Sequence, residues 1–529
     1  MSAWTAIERA VIDGVFRFAP AHARVVGDHA FDGIVGDISA TAIAARASEI
    51  ARQLGVLAEA ERLEPDEDID RRALRAQLQA SQFELTEQRT PFTDPLFYAG
   101  SASELDVSPY LKREYAPLRA RLASLRQHLR GYAGYLEAAR DNLELSLPGP
   151  NLEVAIEAAD GQADYLESDV RTAAAGDEAT LAGIDEAAAQ VRAFTEFLRS
   201  RRPDAHEHDP LGSERFERIL TVREMVDLPV ARLERMVRAD IERNTARATA
   251  LAAEIAPGQG IRGALSELER DHASVRSLID DVSGMLESIR QFVVERDLLS
   301  IPSEVRCLVR PTPAYASYIS AALDSAGPLE STATESYYYV TVPTPSWGPA
   351  KTEEWLRYLN YPVLRNVSIH EAYPGHFVQA LHERRASSLT RQVFWVQGTG
   401  EGYAHYCEEM MIEAGFSKDP RAELAQKSDA LLRDCRALVA LGLHCQGMTM
   451  REAVEVFMEV GFQSELPATR EATRGAWDPL YLTYTLGKLL IYELRRDHEA
   501  RAGFSMKAFH DGFLACGNLP IPLIRELLD

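Results

Sequence analysis

Hydrophobic residues recur every three or four positions through most of the first 300 residues of the chain. The segments "PLRARLASLRQHLRGYAGYLEAARDNLEL" (117–145) and "VARLERMVRADIERNTARATALAAEIA" (230–256) show this spacing clearly. Because a helix turns about 100° per residue, the spacing gathers apolar side chains on one face and predicts amphipathic helices that pack together. Proline, glycine and aspartate interrupt the period at 146–151, 201–213 and 255–263, where we expect helices to end.

A different pattern appears at residues 337–342, where the run "YYYVTV" is rich in aromatic and β-branched residues and is followed by Pro343. Such a run favours a strand. We expect this strand to bind an extended peptide along a free edge, since edge addition recognises backbone without demanding a particular sequence. Helical spacing then resumes and continues toward the C-terminus.

Composition supports a mainly α fold and excludes some partners. The chain of 529 residues is 46% hydrophobic and 26% charged, and the helix formers Ala, Arg, Leu and Glu dominate over Val, Ile and Thr. Its formal net charge of −23 repels phosphate groups over most of the surface. We therefore expect neither nucleic acid nor a membrane surface as a partner.

Cysteine usage and the N-terminal segment bear on the compartment. The five cysteines are an odd number without C-x-x-C pairs, which argues against a disulfide framework and a thiolate zinc site. The first residues include an early acidic residue and lack a long apolar run, and no stretch of about 18 uninterrupted apolar residues occurs. We predict a cytoplasmic protein.

The segment "SIHEAYPGHFVQ" (368–379) resembles a zinc-protease helix that has been lengthened. In H-E-x-x-H the two histidines are four residues apart on one helical face, whereas His370 and His376 are six apart and differ by about 240° on a regular helix. Pro374 cannot donate to the carbonyl of His370, and Gly375 accepts unusual backbone angles. We therefore predict a helix bulge that absorbs two residues and returns His376 to the metal.

A third ligand is expected downstream, because a catalytic zinc commonly binds three protein side chains. In "GTGEGYAHYCEEMMIEAG" the residues Glu401, His405 and Glu408 share one helical face. Glu401 is the preferred third ligand, and His405 is a competing one. Glu408 lies two turns further on, where a carboxylate can orient a ligand histidine through its second ring nitrogen.

Five segments together carry a resemblance to a known family: "PAHARVVGDHAFDG", "HEAYPGH", "EGYAHYCEEM", "ALGLHCQGMTMREAV" and "DPLYLTYTLGKLLIYELR". They resemble the DUF885 family, bacterial proteins related to gluzincin-type metallopeptidases, along nearly the whole chain. Tyr403 stands where that family commonly has Trp. The resemblance implies that His370, His376 and Glu401 bind the metal. It also implies a large, mainly α, metallopeptidase-like fold with a deep cleft and a small β-sheet near the active site.

The expected chemistry is hydrolysis assisted by one zinc ion per chain. Zinc held by two imidazoles and a carboxylate lowers the pKa of bound water, and Glu371 is predicted to accept the water proton and pass it to the leaving amine. Tyr484 and His444 match positions in the family's segments and are predicted to stabilise the oxyanion. Tyr481 could share the face of Tyr484.

We therefore expect a helical scaffold over residues 1–300 and a catalytic metal-binding region over 301–529, packed as one unit around a cleft. The leading hypothesis is a zinc peptidase acting on small or unstructured peptides. A metal-dependent amidohydrolase of a non-peptide amide and an inactive binding or scaffold protein are the alternatives. Exo- or endopeptidase action, the physiological metal and the oligomeric state remain open. Arg365, Arg474 and Lys488 are candidate carboxylate anchors, although Lys488 reads more readily as a surface lysine.

Overall fold

A computed structural model describes residues 3–100, 103–313 and 320–529 of the chain. The chain forms two compact units. Unit 1 comprises Met1–Asp209, Ala326–Thr334 and Ser388–Phe394, and unit 2 comprises Pro210–Ser325, Glu335–Ser387 and Trp395–Asp529. The boundary at residue 300 does not coincide with this division, because residues 210–300 belong to unit 2. Helical periodicity shows that a segment needs a packing partner without showing which one.

Unit 1 is built from helices. In chain order these are α1 (Ala3–Phe18), α2 (Pro20–Val26), α3 (Ala40–Glu59), α4 (Pro65–Phe83), α5 (Thr90–Thr93), α6 (Leu96–Ala99), α7 (Pro109–Lys112), α8 (Leu118–Arg130), α9 (Tyr132–Asn142), α10 (Gly149–Tyr165), α11 (Arg171–Ala173) and α12 (Glu178–Ser200). One core of this unit packs Trp4, Phe16, Ile50 and Leu74 together.

All but one of the remaining helices lie in unit 2, which also contains the candidate catalytic and metal-binding residues. They are α13 (Ser213–Glu224), α14 (Val230–Ile255), α15 (Gly260–Leu268), α16 (Leu278–Glu295), α17 (Gly348–Tyr358), α18 (Tyr361–Glu371), α19 (His376–Glu383), α20 (Leu389–Val393, in unit 1), α21 (Gln397–Glu413), α22 (Pro420–Cys445), α23 (Met450–Glu459), α24 (Glu465–Trp477), α25 (Thr483–Glu499), α26 (Met506–Ala515) and α27 (Ile521–Leu528). The three predicted interruptions fall between α9 and α10, α12 and α13, and α14 and α15.

Three strands in the described part of unit 2 form one small sheet: β1 (Cys307–Pro311), β2 (Ala321–Asp324) and β3 (Ser336–Val340). Their order is β1-β3-β2, with β3 parallel to β1 and antiparallel to β2. The tyrosine-rich run is therefore a strand, as predicted, but the expected free edge is wrong. Both sides of β3 are paired, one with β1 and the other with β2, and its buried side chains, Tyr338 among them, alternate with partly exposed ones.

The mainly helical fold with a small sheet is confirmed. Among the helices that the structure describes, none combines the length and apolar character needed to cross a membrane.

Candidate metal centre

The two motif histidines lie on different helices. Helix α18 ends at Glu371, and α19 begins at His376. The predicted bulge within a continuous helix is therefore a complete break, in which the Tyr373–Pro374 peptide bond is cis. The break nevertheless brings the two imidazoles together, with ring centroids 4.8 Å apart and ring planes at 87°.

Gly375 is required at this break by a close backbone approach. A Cβ atom at this position would lie 1.9 Å from the carbonyl oxygen of His370, far inside van der Waals contact. The amide of Gly375 instead donates to the carbonyl of Ile369 at 3.1 Å. The absence of a side chain thus lets α19 start directly beside the end of α18.

Three potential ligand atoms converge in unit 2. Nε2 of His370 lies 3.4 Å, and Nε2 of His376 3.3 Å, from Oε2 of Glu401. Ligand atoms of these three residues all lie within 4.8 Å of one another. Two atoms bound to a tetrahedral zinc at about 2.0–2.1 Å would be about 3.3–3.4 Å apart. The two separations between a histidine nitrogen and Glu401, together with the His2Glu donor set, therefore fit a zinc ion.

Hydrogen bonds at the second ring nitrogens orient both histidines. Nδ1 of His370 contacts Oε1 of Glu408 at 2.7 Å, and Nδ1 of His376 contacts Oε1 of Gln379 at 3.0 Å. Because each oxygen is an acceptor, each Nδ1 donates a hydrogen, and each Nε2 is left facing Glu401 as the ring atom available to a metal ion. Glu408 thus lies where the helical spacing predicts it, behind the candidate ligand His370.

The Glu408 carboxylate is buried among donors. Asn366 donates to it at 2.9 Å, and Nη2 of Arg433 lies 3.0 Å from Oε1. Burial favours the neutral acid, but the charge of Arg433 and the His370 hydrogen bond hold the pKa of Glu408 well below its usual range. Burial likewise opposes charge on His370, yet Glu401 and Glu408 outweigh it and raise the pKa of His370 to about 9. Glu408 therefore remains an anionic acceptor for His370.

We expect Glu408→Gln to lower zinc affinity by about 10–100-fold, because a neutral amide orients and polarises the His370 ring less strongly than a carboxylate. Competition with a chromophoric chelator measures the dissociation constant. Glu413→Gln, on the exposed part of the same helix, is the matched control and should leave the affinity unchanged. Equal affinities for Glu408→Gln and the parent protein would contradict an orienting role.

His405, the competing ligand, lies outside this three-residue group. It is fully buried on α21, and its Nδ1 is 3.4 Å from Oε2 of Glu408. Burial and the nearby charge of Lys488 lower the pKa of His405 to about 3. The structure thus places a neutral imidazole on the far oxygen of Glu408, and Glu401 faces the two motif histidines instead.

Glu371, the predicted proton acceptor, follows the candidate ligand His370 at the end of α18. Its Oε2 accepts the amide hydrogen of Leu323 at 2.9 Å. Leu323 belongs to β2, the edge strand of the sheet, so the small sheet lies beside the centre, as expected. One oxygen of Glu371 is anchored, and the carboxylate is only partly buried.

Tyr484 and His444 lie in different surroundings. The Tyr484 ring stacks at 14° to the ring of His370, with centroids 6.3 Å apart. Nε2 of His444 instead lies 2.9 Å from the carbonyl oxygen of Gly475, and its ring is 6.2 Å from that of Phe216. The contacts of Tyr484 place it at the centre, whereas the role of His444 stays a prediction. Tyr481 is fully buried in the core.

Glycines allow α25 to pack closely against α21, which places Tyr484 near the centre. A Cβ at Gly402 on α21 would lie 2.5 Å from Cα of Gly487 on α25, and one at Gly487 would lie 2.1 Å from the carbonyl oxygen of Gly398. The two helices therefore meet backbone to backbone. This crossing lies one residue from Glu401 and three residues from Tyr484 in sequence, so it fixes both side chains relative to each other.

Three supporting residues were not identified from the sequence. Asn366 precedes His370 by four residues, and Gln379 follows His376 by three, so helical spacing could have indicated both. Arg433 reaches Glu408 from α22 and has no local sequence signal. Such a partner depends on how distant helices pack.

The side chain of Lys488 lies in the interior and not at the surface, where the sequence predicts it. It is fully buried, and its ammonium group donates to Asp240. Its helix spacing near apolar residues is equally compatible with a buried face, and burial is tolerated here because carboxylates surround it. It therefore offers no anchor for a substrate.

Lys488 belongs to a charge cluster contributed by four helices, consisting of Asp240, Arg243, Glu409, Lys427, Asp434 and Lys488, all of them buried except the half-exposed Arg243. Nζ of Lys427 lies 2.9 Å from Glu409, and Nζ of Lys488 lies 4.0 Å from the same carboxylate. Asp434 accepts hydrogen bonds from Asn244 and Thr485, and burial raises the pKa of Asp434 to about 7. The cluster joins α14, α21, α22 and α25, two of which carry residues of the metal centre.

The family described as "Bacterial protein of unknown function (DUF885)" matches residues 20–528. No curated protein gives a significant match.

Two solved structures are similar over the full length. A proposed lipoprotein of unknown function from Shewanella oneidensis has 22% sequence identity and a TM-score of 0.83, with 100% of both chains covered. A proposed lipoprotein from Colwellia psychrerythraea has 16% identity and a TM-score of 0.81, covering 99% of this chain and 98% of its own. At these identities the likeness shows a shared fold alone.

Proposed function

Because the chain belongs to the DUF885 family of bacterial proteins of unknown function, we propose an activity from its metal centre: zinc-dependent hydrolysis of peptide bonds in small or unstructured peptides. The observation that carries this proposal is the convergence of His370, His376 and Glu401 from three helices to within 4.8 Å. Two oriented imidazoles and one carboxylate are the ligand set of several zinc peptidases.

A divalent ion bound there would acidify a water molecule and polarise the substrate carbonyl. The residues of the chain supply the rest. Oε2 of Glu371 is held by the Leu323 amide, which leaves Oε1 to accept a proton from the attacking water and deliver it to the leaving amine. Tyr484, whose ring stacks against that of His370, would donate its hydroxyl hydrogen to the carbonyl oxygen as negative charge develops. Burial and the charge of Glu401 raise the pKa of Tyr484 to about 12, so the hydroxyl stays protonated at neutral pH.

The surroundings of the centre support a peptide rather than a small inorganic substrate. Strand β2 lies at the sheet edge beside Glu371, where an extended backbone can pair. Trp395 lies 5.9 Å from the His376 ring and is 52% exposed, offering an apolar face to a substrate side chain. Gly400 makes room for this indole, because a Cβ there would lie 2.2 Å from it.

Metal content tests the ligand set. Elemental analysis of tag-free protein incubated with zinc and desalted should give about one zinc per chain. His376→Ala and Glu401→Ala should each lose that zinc while keeping the helical circular dichroism spectrum. His206→Ala removes a partly exposed histidine of unit 1 and should retain it. Protein that binds no zinc even when zinc is offered would overturn the hydrolase proposal and favour a binding or scaffold role.

Substrate panels separate peptide hydrolysis from the related alternative. Zinc-loaded protein should release new amino groups from a mixture of short peptides. Cleavage of acyl amides alone would identify a metal-dependent amidohydrolase that uses the same residues. Both activities would require Glu371. The panel therefore distinguishes the two substrate classes and does not test the metal centre itself.

For cellular location we keep the cytoplasmic proposal made from the sequence. Both structural neighbours are described as proposed lipoproteins, a description that concerns those proteins. Fractionation of cells expressing the untagged chain tests the proposal, since recovery with membranes would overturn it.

A further inference from the structure

Three guanidinium groups surround the ring of Tyr484 beside the metal centre. The Cζ atoms of Arg433, Arg436 and Arg474 lie 5.8, 5.1 and 5.7 Å from the ring centroid. The same ring stacks against ligand His370. Cation–π attraction accounts for one such neighbour, but gathering three like charges at one tyrosine is costly unless anions balance them.

Each guanidinium already has one carboxylate partner. Arg433 binds Glu408. Arg436 binds Glu471 through Nε and Nη2, both at 2.7 Å. Arg474 binds Asp478 through Nε at 3.1 Å and Nη2 at 3.0 Å. The last two pairs use Nε and one terminal nitrogen, so the second terminal nitrogen of each guanidinium, which carries two hydrogens, lies outside the carboxylate pair.

Exposure singles out Arg474. Its side chain is 29% exposed, whereas those of Arg433 and Arg436 are 10% and 12% exposed. Arg474 also hydrogen-bonds the Tyr484 hydroxyl. Arginine has only donors, so the tyrosine oxygen accepts this bond and its own hydrogen is free to point elsewhere. Arg474 is thus an accessible cation that contacts a residue of the metal centre.

From these contacts we infer that Arg474, with Arg436 beside it, binds the free C-terminal carboxylate of the substrate. This inference rests on the proposed function and narrows it: the preferred substrates are short peptides cleaved close to a free C-terminus. The planar guanidinium fork matches a carboxylate, and partial burial strengthens the bond relative to one in open water. Lys488 cannot serve, because it is fully buried and bonded to Asp240.

The test compares two matched probes, N-acetyl-alanyl-phenylalanine and its C-terminal amide, with the zinc-loaded full chain. We expect the acid to have a KM at least about tenfold below that of the amide, since charge-assisted hydrogen bonds to the carboxylate are lost in the amide. Equal KM values would overturn the inference without any variant being needed.

Variants then assign the effect to Arg474. Arg474→Gln should raise the KM for the acid by about tenfold or more relative to its effect on the KM for the amide. Arg474→Lys should recover part of the loss, since lysine keeps the charge but not the fork. Arg451→Gln, an exposed arginine paired with Glu455, is the control and should change neither substrate. An equal loss on both probes in Arg474→Gln would show a structural role and overturn the inference.

A binding measurement separates this inference from the proposed function. Calorimetric titration of zinc-loaded Glu371→Gln with the same probes should show tighter binding of the acid, and this preference should disappear when Arg474→Gln is added. If the parent protein hydrolyses neither probe yet binds the acid selectively through Arg474, the peptidase proposal fails and the carboxylate site stands. If hydrolysis occurs without any carboxylate preference in binding, the site fails and the peptidase stands.

Discussion

Glu371→Gln is expected to reduce peptide hydrolysis by about 10²–10⁴-fold, the usual contribution of a general base, while leaving the metal content unchanged. Glutamine keeps the length of the side chain, and its carbonyl oxygen can still accept the Leu323 amide that anchors Glu371. It cannot take up the water proton. The measurement is the rate of new amino groups from the short-peptide mixture, normalised to zinc per chain.

A second glutamate controls for the substitution itself. Glu383 lies on α19, is partly buried and accepts a hydrogen bond from Asn518 at 2.6 Å. Burial raises the pKa of Glu383 to about 8, so glutamine resembles its neutral form near pH 7. Glu383→Gln should therefore keep the parental rate. A Glu371→Gln protein with more than a tenth of the parental rate would contradict the assigned role.

Lys488→Met is expected to cause the largest loss of stability, about 3–5 kcal/mol of unfolding free energy, because it removes one partner from a buried ion pair. The substitution leaves Asp240 without its shortest contact and removes a positive charge near Glu409 and Asp434. Methionine fills much of the volume, so lost packing contributes little. Urea titration followed by circular dichroism measures the shift of the transition midpoint.

The matched control is Lys507→Met. Lys507 also pairs with an aspartate, Asp297, but at the surface, where solvent screens the pair. Its removal should leave the urea midpoint near the parental value. If Lys488→Met unfolds at the same urea concentration as Lys507→Met, the prediction is wrong. Lys488 would then contribute no more than a surface ion pair to the free energy of unfolding.

Sequence periodicity predicts the helices and the tyrosine-rich strand, since both depend on local spacing. It does not predict β1 and β2. The β2 sequence "AALD" has helix-forming residues and becomes a strand only through pairing with β3. The central position of β3 has no local signal for the same reason, because one strand's pattern does not show how many neighbours it acquires.

For the metal centre, motif spacing brought together His370, His376, Glu401 and Glu408, the residues whose positions follow from one or two helices. The form of the helix break was not foreseen, because spacing shows that the helix must be distorted without showing how. Arg433 and the burial of Lys488 depend on the packing of α22 and α25 against α21, which involves residues far apart in sequence. Local patterns contain no signal for such contacts.

The break between α18 and α19 also changes what metal binding means for folding. In an uninterrupted H-E-x-x-H helix, one rigid rod sets the separation of the two imidazoles before any ion arrives. Here the candidate ligands His370, His376 and Glu401 come from three separate helices. A bound ion would therefore act as a cross-link between three helices, in addition to the side-chain hydrogen bonds that already join them, such as those of Glu408 with Asn366 and His370. Metal binding would then stabilise the junction between these helices as well as support catalysis.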